Sequence, residues 1–340
     1  GSGIIVSGGS FANTGQVSSG GSQPAVIRSL QVTQSCEGRI EAIAPGATVR
    51  LAGTDLSGGT IATSNGGVIR VEELSRFDDV QMSGQFDVFR GTQLTLASGV
   101  VFQGTMRINP GNGSEATSLA WDPEHPPALS GVVALEGTPE RAWISSSGAA
   151  EMPLTIPADL RVEGVGLIDA PSLIEGEIAP GLASELGTLS ANGVMQFAPD
   201  ASLRISVDAV GADVLVSASQ VELAGTLVVE PLGMDMLPDG YWTHQIVFAP
   251  SITGGFDTIE ALGIADGRAI RVKHAGPILS IVHTCLTDFD LDGEQDFFDV
   301  SAFIDAYIAC DPGADLTGDG QMDFFDISTF LAAYQGGCDL

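Results

Sequence analysis

Thr48-Val-Arg-Leu-Ala52 and Val68-Ile-Arg-Val71 begin a series of short alternating runs. It continues through Gln93-Leu-Thr-Leu96, Val100-Val-Phe102, Met106-Arg-Ile108, Val132-Val-Ala-Leu135 and Leu160-Arg-Val162. Alternation with period two sends successive side chains to opposite faces of a strand, so Val, Leu and Ile point inward and the polar residues outward. Gly, Asn or Asp punctuates the runs, and successive runs often begin 8–12 residues apart, the spacing of a sandwich, barrel or solenoid. No capped helical stretch of any length interrupts residues 1–284. The recurring Gly-rich corners favour a parallel β-helix with one coil every ~20–25 residues, stacking its apolar stripes inward, over a sandwich.

Composition agrees with repeated tight turns. The 340 residues include 44 Gly and only 6% aromatics, yet 44% are hydrophobic, which is enough to fill a long core. A chain of this length divides naturally into a long repetitive region and a module. The balance of 43 acidic against 13 basic residues gives a charge of −30, which repels phosphate backbones and anionic lipid and argues against a nucleic-acid partner. Twelve of the basic residues are Arg, and the one Lys is Lys273. No run of 18 apolar residues predicts membrane insertion, and no apolar signal segment opens the chain. Gly1-Ser2-Gly3 fits either a mature N-terminus after signal removal or an expression remnant.

The acid concentrates at the C-terminal end. Residues 285–340 hold thirteen Asp and Glu and no Lys, Arg or His, a density that predicts a neutralising cation. Within them one unit occurs twice, 27 residues apart: Asp288-Phe-Asp290-Leu-Asp292-Gly293-Glu294-Gln-Asp296-Phe297-Phe298-Asp299, then Asp315-Leu-Thr317-Gly-Asp319-Gly320-Gln321-Met-Asp323-Phe324-Phe325-Asp326. Oxygen-bearing side chains fall at positions 1, 3, 5, 9 and 12, with Gly at 6. Calcium takes six to eight hard oxygen ligands, and Gly at the sharp turn lets the loop gather them. Glu294 and Gln321, at position 7, would contribute backbone carbonyls. The set predicts two Ca2+ ions, the second loop being less charged through Thr317. After each loop an apolar stripe with i, i+3, i+4, i+7 spacing predicts a helix: Val300, Phe303, Ile304 and Tyr307, then Ile327, Phe330, Leu331 and Tyr334.

On these motifs, with Asp-Leu-Thr-Gly-Asp-Gly over 315–320, the doubled Asp-Phe-Phe-Asp and the closing Gly337-Cys338, the segment 285–340 resembles type I dockerins. It resembles specifically the GC-type dockerin-anchored proteins of planctomycete-like bacteria. The resemblance implies export, calcium-dependent folding, and docking to a cohesin-like partner or cell surface. In that family positions 10 and 11 help select the partner. Here they are Phe297, Phe298, Phe324 and Phe325 instead of a small or polar pair, which points away from ordinary cohesin docking toward a homotypic contact or a small aromatic core.

Further upstream, Gly164-Val-Gly-Leu-Ile168, Ile174-Glu-Gly-Glu-Ile-Ala-Pro-Gly181, Leu186-Gly-Thr-Leu-Ser190 and Val221-Glu-Leu-Ala-Gly-Thr-Leu-Val-Val229 resemble the end of an autotransporter-type β-helix passenger, across about 160–262. That resemblance implies an exported, elongated, right-handed β-helix and no particular ligand. The expected fold is therefore all-β: a right-handed parallel β-helix (β-solenoid) over 1–284, then a small α-helical dockerin with two EF-hand-like calcium loops over 285–340.

Four cysteines allow three connectivities. Cys285 and Cys338 bracket the module, and a bond between them would clasp its ends. Cys36 with Cys310 is then what remains.

A search for catalysis yields two fragments, Arg76 with Asp78 and Asp79, and Trp121 with Asp122, Glu124 and His125, where the Trp could stack on a sugar. The plainer reading of each is a solvated turn or a Pro-rich loop leaving the coil. His244, His274 and His283 stand isolated, and no zinc spacing, phosphate loop or Ser-His-Asp grouping occurs. The sequence thus points to a secreted structural protein, an extracellular scaffold or a filament subunit forming homo-oligomeric or polymeric assemblies, and not to an enzyme. An adhesin or carbohydrate binder is the alternative, and a polysaccharide-degrading enzyme the next.

Overall fold

The computed structural model describes residues 5–89, 91–148 and 152–337. From Ile5 to Ala261 the backbone winds into a β-solenoid of about nine turns whose strands pair with one another in parallel, with isolated antiparallel bridges such as Gly164–Gly181. Gln81 pairs with Thr60 and Val101 with Gln81, so a coil closes in 20 or 21 residues there; toward the C-terminal end Thr258 pairs with Thr226, a coil of 32. The coils outgrow the expected ~20–25 residues where long loops are inserted between strands.

In-register stacking converts the sequence alternation into continuous apolar ladders. Ile40, Ile61, Met82, Phe102 and Leu129 lie one above another through five coils, all at most 4% exposed. A second ladder runs Ile27, Leu51, Val71, Val88, Ile108, Leu135, and a third Leu56, Phe77, Leu96, Trp121. Each inner rung of these ladders is covered above and below by another apolar side chain, so water is excluded without a second layer. Trp121 is fully buried at the end of strand Thr117–Trp121. This corrects its reading as a loop aromatic available to a sugar: its place in the third ladder turns the indole inward, and the loop starts at Asp122.

The corners explain the glycines. Gly84, Gly104 and Gly131 stack in register with φ of +96°, +148° and +97°. A Cβ on Gly104 would lie 2.1 Å from the Gly84 carbonyl oxygen, and one on Gly131 2.1 Å from that of Gly104. Backbones approach so closely at this bend that no side chain fits.

Outside, scarce Arg side chains bridge carboxylates on neighbouring coils. Arg107 clamps the buried Asp87 with bonds of 2.8 and 2.7 Å, and Arg204 reaches both Glu177 and Glu230. Such bidentate pairs offset the like-charge repulsion of an acidic surface.

The parallel ladder ends at an antiparallel hairpin. Strands Arg268–Ala275 and Ile278–Cys285 pair with each other, and the second also pairs antiparallel with Trp242–Phe248. This hairpin caps the last coil and leads into the C-terminal module, whose helices are α1 (Phe297–Ile308) and α2 (Phe324–Gly336). The module has its own small core, Phe303, Phe330 and Ala314, with the two Phe rings stacked 4.1 Å apart. Among the described residues no helix is long and apolar enough to cross a membrane.

The expected Cys36–Cys310 pairing is not present: both are exposed free thiols. Cys36 lies in an early coil, whereas Cys310 follows α1, and a stacked solenoid separates the two along its length. Cys285 is buried at the end of the capping hairpin, with Arg268 Nη1 3.7 Å from its sulfur; Cys338 lies outside the described residues.

Candidate functional site

The doubled acidic unit folds into two loops with matching internal bonds. In the first, Asp288 accepts the backbone N–H of Leu291 (2.8 Å) and of Gly293 (3.1 Å); in the second, Asp315 accepts from Gly318 (2.8 Å) and Gly320 (2.7 Å). Asp292 takes the Glu294 N–H and Asp319 the Gln321 N–H. Each loop closes on a helix through a reciprocal cap. Asp296 accepts from Phe298 N while Asp299 accepts from Asp296 N; Asp323 and Asp326 repeat this at α2. The N-cap carboxylates also face the positive helix ends.

Asp299 and Asp326, the twelfth loop residues, are fully buried and turned back over their loops. Asp299 accepts the N–H groups of Phe289 (2.8 Å) and Asp290 (3.3 Å), and Asp326 accepts the N–H and the hydroxyl of Thr317, both at 3.1 Å. In the first loop carboxylate oxygens of Asp288, Asp290 and Asp292 lie within 4.8 Å of one another. Burial pushes the Asp290 carboxyl above its ordinary range, helped by the charges of Asp292, Asp299 and Asp288. A hard divalent cation relieves such crowding, so this donor set fits calcium. Among the described residues the second loop brings no three such groups that close, because Thr317 replaces a carboxylate.

The apolar stripes are only partly buried. Phe303 and Phe330 form the core, with Val300, Tyr307, Ile327 and Tyr334 packed around them, but Ile304 and Leu331 are about half exposed. Phe297, Phe298, Phe324 and Phe325 are 73%, 64%, 72% and 64% exposed. Each pair meets edge to face, 6.5 and 6.4 Å between centroids, at the N-terminus of its helix. They are therefore a surface, and the alternative of an aromatic core is not realised.

The module's first loop touches the solenoid cap. The Arg271 guanidinium lies 3.8 Å from the Phe289 ring centre and donates to the carbonyls of Leu286 (2.9 Å) and Gly313 (3.3 Å). Burial lowers its pKa to about 10, opposed by the charges of Asp288, Asp311 and Asp299, so it stays a cation at neutral pH. Tyr241 donates its hydroxyl to Leu291 O at 3.1 Å, Lys273 Nζ lies 3.5 Å from the same oxygen, and Thr284 donates to the Asp288 carboxylate. Apart from the Thr284–Asp288 bond, four residues apart, these contacts join residues 15–50 positions apart, beyond the reach of local sequence patterns.

On the solenoid flank, the two catalytic fragments of the sequence come together in part. Phe77, Leu96, Trp121 and Ser146 share one register, so the residues that follow them stack as well. The result is a hollow of about 240 Å3 lined by Arg76, Ala97, Ser98, Asp122, His125 and Ser147. His125 Nδ1 is 3.4 Å from Asp122 Oδ2, and Asp122 is held below the usual carboxylate range by the Glu124 N–H first and then by His125 and Arg76. Asp78 and Asp79 do not line it; Asp79 occupies a turn with φ +54°.

The histidines divide by environment. His283 is buried and stacks on Trp242 at 5.0 Å, His244 lies against the same indole, and His274 is exposed. Burial lowers the pKa of His244 and His283, in keeping with their packing against Trp242. No family model matches the chain, and no curated protein is significantly similar to it.

Proposed function

We propose that this chain is an extracellular structural protein, a scaffold or filament subunit, whose dockerin-like C-terminal module assembles or anchors it once calcium is bound. The observation that carries this reading is the pair of Phe-Phe patches. Four large aromatic side chains stand in water, at equivalent points of a duplicated unit, on a module without a single basic residue. Exposed aromatic clusters of this kind are anchors for association. Calcium would be held by Asp288, Asp290, Asp292, Asp296 and Asp299 with the Glu294 carbonyl, and in the second loop by Asp315, Thr317, Asp319, Asp323 and Asp326 with that of Gln321. Its role is to cancel repulsion among these groups and fix the helices that carry the Phe pairs. A Cys285–Cys338 bond would clasp the module's ends, contributing about 2–4 kcal/mol.

Sedimentation and electron microscopy of the full chain, with and without calcium, test this. Calcium-dependent oligomers or filaments that disappear when all four Phe are changed to Ser support homotypic assembly. Monomers at every concentration count against it and leave anchoring to another partner. The hollow at Arg76 and Asp122 favours a second reading, a surface binder of polar ligands. Glycan-array binding by the full chain that is lost in Arg76→Ala supports that reading, and no binding rejects it.

A further inference from the structure

The duplicated loops differ at one backbone position that governs their shape. At the fourth residue the chain turns left-handed in both, and the second loop has Gly318 there with φ +70°. The first has Leu291 with φ +63°, a conformation that branched, bulky residues avoid. The Leu291 N–H is held within the loop by Asp288, as that of Gly318 is by Asp315, but among the described residues the groups on the Leu291 carbonyl come from the solenoid: the Tyr241 hydroxyl at 3.1 Å and Lys273 Nζ at 3.5 Å. The Tyr241 ring also fits the first loop's turn, since a Cβ on Gly293 would meet its ring carbons at 3.1–3.2 Å; the equivalent Gly320 has nothing within 4 Å. Phe289 takes the Arg271 cation at 3.8 Å, and Asp288 is fully buried against the cap.

We infer that Tyr241, Lys273 and Arg271 are positioning residues for the first ion loop, which is shaped by the solenoid cap, whereas the second loop shapes itself. None of the three is a residue of the loop; they act by keeping Leu291 left-handed and the loop carboxylates converged. A left-handed Leu stores strain that the unsupported loop would relax, dispersing its ligands. The inference rests on the reading of these loops as calcium sites.

Calorimetric titration of the full chain with Ca2+ tests it, using Asp319→Ala to silence the second loop and Asp292→Ala to silence the first. In the background that retains the first loop, Tyr241→Phe, which deletes only the hydroxyl, is expected to weaken binding about tenfold, the equivalent of one hydrogen bond plus part of the released strain. In the other background the same substitution should leave affinity unchanged. Adding Leu291→Gly should restore most of the loss, because Gly adopts the left-handed turn unaided; a merely structural role for Tyr241 would not be rescued there. Equal weakening of both loops, no weakening of the first, or no rescue by Leu291→Gly overturns the inference while leaving the calcium reading intact. No uptake of calcium by the wild type overturns the calcium reading, and this inference with it.

Discussion

In the solenoid, Phe102 lies between Met82 and Leu129 and edge-on to Phe86, one rung of ladders that run coil after coil. In the C-terminal module, Phe303 and Phe330 stack on each other, and among the described residues Ala314 is the one other buried apolar residue of their core. The first region repeats a short apolar contact until its sum is large. The second, far shorter, gathers thirteen acidic residues without a basic one around a core too small to outweigh their repulsion. The solenoid should therefore be stable by packing alone, and the module, on the proposed calcium reading, only with a cation bound.

The largest effect that could break this contrast lies at the glycine corner. Gly104→Val drives a side chain into the Gly84 carbonyl in a backbone region closed to Val, so a loss on the order of 5 kcal/mol or failure to fold is expected. Thermal unfolding followed by circular dichroism checks it, and a mild effect would mean that the coils are not tightly stacked. Next is calcium removal. Chelation should abolish amide-exchange protection in α1 and α2, a shift of about 4 kcal/mol at calcium a thousandfold above its dissociation constant, while the strands through Ala261 keep theirs. Third, Phe330→Ala deletes half of the stacked pair and should cost about 3 kcal/mol within the module alone. Loss of strand protection in that variant would show that the two regions fold as one.

The smallest effect is a pH dependence confined to the solenoid. Asp213 is buried, accepts the Gly187 and Ser206 N–H groups, and is pushed up to about 6 by burial. Its folded pKa exceeds its ordinary value of 3.8, so the folded state holds the proton more tightly. That stability is fully present below about pH 4 and is lost as pH rises through 6, on the order of 2 kcal/mol. Asp213→Asn should flatten this part of the stability profile between pH 4 and 6.5, relative to wild type, without moving the module's response to chelation.

Much of the molecule was legible residue by residue. The alternation in Thr48-Val-Arg-Leu-Ala52 announced a strand with Val49 and Leu51 inward, and both are fully buried. The spacing of Val300, Phe303, Ile304 and Tyr307 announced a helix after the first loop, and Phe297–Ile308 is one. Trp121 was misread because the Pro-rich loop beginning at Asp122 masks the end of its strand, and strand ends are set by stacking partners 25 residues away. The convergence of Arg76 with Asp122 and His125, and the grip of Tyr241 on Leu291, had no local signature at all.

The sequence by itself determined the periodicities: two for the strands and 3.6 for the helices, each a consequence of backbone geometry acting over a few residues, and 27 for the acidic loops, a duplicated unit. Only the tertiary structure decided which turns lie above one another. It buried Trp121, left both Phe pairs in water, and set the capping hairpin against one loop and not its twin. Those choices depend on register and close approach between distant segments, which no local pattern of side chains encodes.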